Sequence, residues 1–120
     1  MDVFQHCEEL VRAQDKDRYL TALFAPADRR GALFALYAFA AEVAAVRDRV
    51  REPMAGEIRL QWWRDVLNGE RAGEANANPI AAALIDTMAR HALPARRLLD
   101  VVEVQAVSYT HLTLPTNREV

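Results

Sequence analysis

Cysteine and lysine each occur once in these 120 residues and glycine only four times, and each scarcity closes off a class of protein. With Cys7 alone, no intrachain disulfide and no thiolate metal site can form; a reducing, cytoplasmic setting is expected and Cys7 reads as a packing residue. Lys16 apart, the positive charge is all arginine. It alternates with acids to a net charge of −2 instead of gathering into a basic stripe, so nucleic acid is not an expected partner. The first residues lack the basic start and apolar run of an export signal. No apolar run reaches the ~20 residues that cross a bilayer. The longest, residues 31–46, is alanine-rich and interrupted by Glu42, and reads as a buried helix. Peripheral contact with an inner membrane is left open by these features. Strand alternation is absent, no Asn-Gly or Asp-Gly turn joins two alternating apolar runs, and no repeat is evident, so β architectures and short-repeat solenoids are disfavoured.

What the sequence does have is a hydrophobic fraction of 52% set in helical spacing, enough for the core of one small domain. Pro26, Pro53, Pro79 and Pro94 each suit a first helical turn, where the missing N–H costs nothing. Five helices are expected and the fold class is all-α. The first spans residues 3–14, with Phe4, Cys7, Leu10 and Val11 on one face. The second runs from Pro26 to about Arg51, with Leu33, Leu36, Tyr37, Ala40, Val43 and Ala44 as its stripe; it is apolar nearly all round, as a central helix is. The third starts at Pro53, presents Leu60, Trp63, Val66 and Leu67, and stops at Asn68-Gly69. Residues 70–77 read as a loop, and Asn78 caps a helix from Pro79 to about His91-Ala92. The last starts at Pro94 and carries Leu98, Leu99, Val101, Val102 and Val104.

From Val107 the text changes. Val-Ser-Tyr-Thr-His-Leu-Thr-Leu-Pro-Thr-Asn-Arg-Glu-Val abandons the alanine, leucine and arginine bias and resembles a translated sequencing adapter. The expected organisation is a domain over residues 1–106 and a foreign tail over 107–120, the natural chain continuing past Ala106. The other reading is a genuine β-prone extension.

Three segments in order, Asp15-Lys16-Asp17-Arg18-Tyr19-Leu20-Thr21-Ala22-Leu23-Phe24-Ala25-Pro26, Arg29-Arg30-Gly31-Ala32-Leu33-Phe34-Ala35-Leu36-Tyr37-Ala38-Phe39 and Glu57-Ile58-Arg59-Leu60-Gln61-Trp62-Trp63-Arg64-Asp65-Val66-Leu67, resemble the squalene/phytoene synthase family. Asn78-Pro79-Ile80 and Arg90-His91-Ala92-Leu93-Pro94 follow at familiar spacing. The resemblance implies the N-terminal part of the isoprenoid synthase helical fold. It also implies a transferase of isoprenoid biosynthesis that joins two prenyl diphosphates with Mg²⁺. Chemistry of that kind needs carboxylates four apart, on one helix face, to hold metal against diphosphate oxygens. It also needs an apolar cavity for the prenyl chains. The resemblance implies Asp48 as a metal ligand, Tyr37 and Phe39 as shields for a cation, and Arg59 and Arg64 as diphosphate ligands. Against these stand plainer readings: Asp48 as a salt-bridging residue among arginines, and Arg59 and Arg64 as surface residues of an amphipathic helix. Trp62 and Trp63 lie about 100° apart, so one is core and the other borders a cavity or a neighbouring helix.

One departure bears on function. Where catalytic members carry DxxxD, this sequence has Ala44 at the first aspartate and keeps only Asp48. Glu42, six residues earlier, points away from Asp48 on a helix. The stretch Glu42-Val43-Ala44-Ala45-Val46-Arg47-Asp48 resembles a divergent branch that includes mitochondrial complex I assembly factors. Two readings therefore stand: a synthase acting on prenyl diphosphates, inactive as this piece alone, or a non-catalytic relative binding a lipid or a protein partner during respiratory complex assembly. Exposed apolar surface along the second helix is expected to make the piece prone to association.

Overall fold

The computed structural model describes residues 2–49 and 52–113, and every regular element among them is a helix. In order these are α1 (Val3–Gln14), α2 (Lys16–Leu23), α3 (Ala27–Ala44), α4 (Val46–Arg49), α5 (Pro53–Leu67), α6 (Ala72–Ala77), α7 (Pro79–His91) and α8 (Ala95–Thr113). The all-α class is as expected, and α1, α5 and α7 begin and end where the sequence places them. Three elements differ. α2 lies inside a stretch with no expected helix: Asp15 caps it by accepting from the Arg18 N–H at 3.2 Å, but of its eight residues only Ala22 is buried, too little for a periodic signal. The expected helix over 26–51 is two pieces, because the chain tightens at Ala45 (ψ −13°), whose carbonyl accepts from both Asp48 and Arg49. Alanine carries no warning of such a turn. Residues 72–77, expected in a loop, form a short helix that buries Ala75.

α3 is the centre of the packing, touching α1, α2, α7 and α8, while α5 lies along α8. Its buried residues are Phe34, Ala35, Ala38, Phe39 and Val43, a stripe turned from the expected one: Leu33, Leu36 and Tyr37 are only partly covered. A helix apolar on all sides does not dictate which side is most covered; its neighbours do. The alanines let those neighbours come close, and the aromatics fill what remains. Large exposed apolar residues lie mainly off α3, at Leu20 and Phe24, Met54 and Ile58, and Val104 and Val107, so the apolar surface expected along the second helix is elsewhere. Val104, expected in the core, stands outside it; α8 packs through Leu98, Val102 and Ala106. α8 also runs on past Val107 to Thr113, across the change in composition, and residues 114–120 lie outside the described residues.

The end signals are local and legible. Asn78 Oδ1 accepts from the N–H groups of Ile80 and Ala81 at 3.0 and 3.1 Å, so Asn78→Ala should cost about 1 kcal/mol, read as a lower urea midpoint at unchanged slope. Gly69 takes the left-handed conformation (φ 82°) that stops α5. At the end of α7 the same role falls to Ala92 (φ 54°), whose N–H and that of Leu93 both bond the Met88 carbonyl. Cys7 is fully buried on α1, and burial, reinforced by the charge of Asp2, pushes its thiol up to about 11. A disulfide exchange reagent at neutral pH should therefore label Cys7 only through unfolding; labelling of the native chain as fast as in urea would contradict this placement.

Candidate functional site

Where α3 gives way to α4 and α5 turns back beside it, Glu42, Val46, Arg49, Ala55, Ile58, Arg59 and Trp62 enclose an open cavity of about 350 Å³. Glu42, Val46 and Arg49 follow one another at i, i+4 and i+7, so one side of the α3–α4 junction faces it. Ala55, Ile58, Arg59 and Trp62 give one face of α5 to it. The wall is mainly apolar, with charge at the rim. Glu42 Oε2 accepts from Arg49 Nη1 at 3.1 Å. The Arg59 guanidinium lies over the Trp62 ring, 4.8 Å from its centroid, an arrangement that favours a cation on an aromatic face.

Trp62 is fixed from its other side. Its indole N–H donates to Glu74 Oε1 at 2.7 Å, and that bond, with Arg71 in support, holds the Glu74 carboxyl below its ordinary value. Arg71 bridges Glu74 and Asp65, each at 3.1 Å, and Asp65 is likewise held low, first by Gln61 and then by Arg71. Short α6 is thus tied to α5 through a chain of charge-assisted bonds that ends on the cavity wall.

Of the residues singled out from the sequence, Arg59 and Trp62 line this cavity, whereas Tyr37, Phe39, Asp48 and Arg64 do not. Trp63 is the core member of the pair and Trp62 the cavity member, the division that a 100° step requires. Phe39 is buried edge-on against Trp63, ring centroids 5.2 Å apart. Tyr37 is half-buried, with the Arg18 guanidinium 5.4 Å from its ring centroid. Arg64 bonds to Glu103, Glu57 and Gln61, a bridge from α5 to α8. Asp48 is exposed on α4, one turn after Ala44.

Whether this end of the molecule suits Mg²⁺ can be judged from the donors present. Ala44 removes the facing carboxylate, Glu42 is engaged by Arg49, and among the described residues no three of His, Cys, Asp and Glu come together as a metal site. A single exposed carboxylate does not fit an ion cluster that must be shared with diphosphate. Glu42 is not among the residues that the sequence singles out for a site; its spacing of seven from Arg49, two helical turns, is the signal for the ion pair. Ile58, Val46 and Ala55 carry no chemical signal and are placed by the fold alone.

A second, larger groove of about 630 Å³ runs between α3 and α7, bordered by Pro26, Arg29, Leu33, Leu36, His91 and Leu93. Thr87 borders it too, buried, its hydroxyl without a partner among the described residues. No helix among the described residues is long and apolar enough to cross a membrane.

Comparison with known proteins bears on both readings. The squalene/phytoene synthase family model matches residues 11–111. Assembly factor 6 of NADH dehydrogenase (ubiquinone) complex I from Homo sapiens is 36% identical over 98 residues, covering 82% of this chain and 29% of that protein. Its counterpart from Bos taurus is 33% identical over 99 residues, 82% of this chain and 30% of that protein. The homolog from Drosophila melanogaster is 38% identical over 65 residues, 53% of this chain and 20% of its own. The chain spans less than a third of the length of these relatives, and no solved structure matches it. With three matched segments in order, an all-helical fold built on the alanine-rich α3, and a family match over most of its length, the chain belongs to the squalene/phytoene synthase family.

Proposed function

We propose that this chain comes from a binding member of the squalene/phytoene synthase family that acts in the assembly of respiratory complex I, and that it does not condense prenyl diphosphates. The observation that carries this is the state of the α3–α4 junction. Ala44 stands where a first aspartate is needed, Glu42 is paired with Arg49, and Asp48 is left as one exposed carboxylate. Departure of diphosphate demands concentrated positive charge held by several carboxylates, and this end of the molecule supplies too few. The names of the curated relatives, all complex I assembly factors, support the same reading. What the fold offers here is a helical frame with an apolar, arginine-rimmed cavity. Such a frame suits holding a lipid or a protein segment. Residues 107–120 we set apart as a foreign tail, which re-reading the coding DNA across codons 105–120 tests.

The test of function is replacement. A human assembly factor 6 whose matching segment is exchanged for residues 11–106 of this chain is expressed in cells lacking the factor, and assembled complex I is read on native gels. Restored complex I is the expected result. Failure of a stably expressed chimera to restore it would count against the assembly reading. Farnesyl diphosphate and Mg²⁺ offered to the purified 120-residue chain should give no condensed product; turnover would return the synthase reading to first place.

A further inference from the structure

α5 carries two apolar stripes. Leu60, Trp63 and Leu67 form the buried one, and Met54, Ile58 and Trp62, at i, i+4 and i+8, lie roughly opposite it by helical geometry. Met54 is 72% and Ile58 63% exposed, so a helix buried along one side keeps a second apolar face in solvent. Trp62 closes that face at the cavity, where the Arg59 guanidinium lies on its ring. Arg59 has no carboxylate partner among the described residues, whereas its neighbours Arg49, Arg64 and Arg71 are all paired. Two apolar residues a turn apart, a recess beside them, and an unpaired arginine prepositioned on a tryptophan match the composition of interface hot spots. The free charge also sets the sign of the occupant.

We propose that this face of α5 is the docking site for an amphipathic helix of a partner protein, one that lays apolar side chains over Met54 and Ile58 and into the recess and brings a carboxylate to Arg59. Arg49 is committed to Glu42 at the same rim, so the acidic group is directed to Arg59 and an incoming basic group is met by an unpaired cation. The proposal uses neither Ala44 nor Asp48, which are not among the residues that line the recess. The inference rests on the binding reading above and names the partner's chemistry.

The experiment uses a synthetic helical peptide of about 18 residues with leucines at i, i+3, i+4 and i+7 flanked by glutamates, and a twin with lysines at the flanks. Binding of each to the 120-residue chain is followed by fluorescence anisotropy. The glutamate peptide is expected to bind at least tenfold more tightly than its twin. Arg59→Glu should reverse that preference, a gain of binding that a misfolded variant cannot produce, and Ile58→Asp should weaken both peptides at least tenfold. Equal affinity for the two peptides, or an unchanged preference in Arg59→Glu, overturns the proposal. So does sedimentation showing a dimer that Ile58→Asp dissolves, since a second copy would then be the occupant, and so does a loss of binding to anionic vesicles in Ile58→Asp, which would make it a lipid. If the gene reads on past Ala106 and its longer product excludes the peptide, later helices of the same protein fill the face and the proposal fails. A chimera that restores complex I while neither peptide binds defeats the docking site and leaves the assembly reading standing; peptide binding without restoration does the reverse.

Discussion

Trp63→Ala should be the most damaging single change in the chain, costing about 3–5 kcal/mol, a large part of the stability of a domain this small. Trp63 has no exposed surface; it stands edge-on to Phe39 at 5.2 Å and to Trp62 at 5.0 Å between ring centroids. It therefore joins α5 to α3 and underlies the wall of the candidate cavity. Alanine would leave a hole lined by rings that cannot collapse into it. Trp63→Phe is expected to cost far less, below about 1.5 kcal/mol, for a reason beyond its size. The buried indole N–H has no hydrogen-bond partner among the described residues, and a buried unpaired donor carries a penalty of about 1–3 kcal/mol that phenylalanine removes with the nitrogen. Urea unfolding of both variants checks the pair. Similar losses for phenylalanine and alanine would mean that the N–H is satisfied, and a loss under 1 kcal/mol for alanine would remove Trp63 from the core.

The same residue illustrates what sequence alone discloses. Helices whose ends carry chemistry are legible: Asn78-Pro79 opens α7, Asn68-Gly69 closes α5, and Leu60, Trp63, Val66 and Leu67 declare the inner face of α5 by spacing. Elements held by tertiary contacts are not. α6 looks like a loop because Gly73, Asn76 and small residues dominate it, and it becomes helical with Glu74 bonded to Trp62 and Arg71. The break at Ala45 is silent, since alanine fits a continuous helix equally well. The facing of α3 cannot be read from a helix apolar on every side, and there the buried stripe is turned from the expected one.

The candidate site is legible in pieces. The loss of an aspartate at Ala44 is visible at once, and the division of labour between Trp62 and Trp63 follows from a 100° step. Arg59 is found for its charge, but its use depends on the ring beneath it, which spacing alone does not reveal among several equivalent surface positions. Ile58 and Met54 read as ordinary members of an amphipathic helix; that they form an uncovered second stripe emerges only once the first is seen against α8. Tyr37 and Phe39, adjacent in the resemblance, part company in the fold, one beside Arg18 and the other inside the core.

Arg64 shows how far a charged residue's role can lie from the plainest guess, and it carries the second large prediction. On sequence it is either a diphosphate ligand or a surface arginine. In the fold its Nε and Nη2 donate to the two Glu103 oxygens at 2.6 and 3.2 Å, while Nη1 donates to Glu57 at 3.2 Å and Gln61 at 2.9 Å. Its side chain is only 17% exposed, and the two-pronged bond spans α5 and α8. Charge-assisted bonds of this kind contribute about 1.5–3 kcal/mol, but Glu103 and Glu57 are each half-exposed and regain water when released. Arg64→Ala should therefore cost about 1–2 kcal/mol. Lysine should recover less than half of that, because a point charge cannot reproduce the fork. The bond to Glu103 leads in raising the guanidinium above an already high ordinary value, so the arginine's own share of the bond would be lost only as pH rose through that raised value. Across about pH 5–9 the arginine's own ionisation gives no slope. A double-mutant cycle of Arg64→Ala with Glu103→Ala in urea should give a coupling near 1 kcal/mol that shrinks as salt is added. Zero coupling would mean that α8 is held to α5 by Leu98, Val102 and Ala106 alone, and would return Arg64 to the pool of arginines available to a ligand.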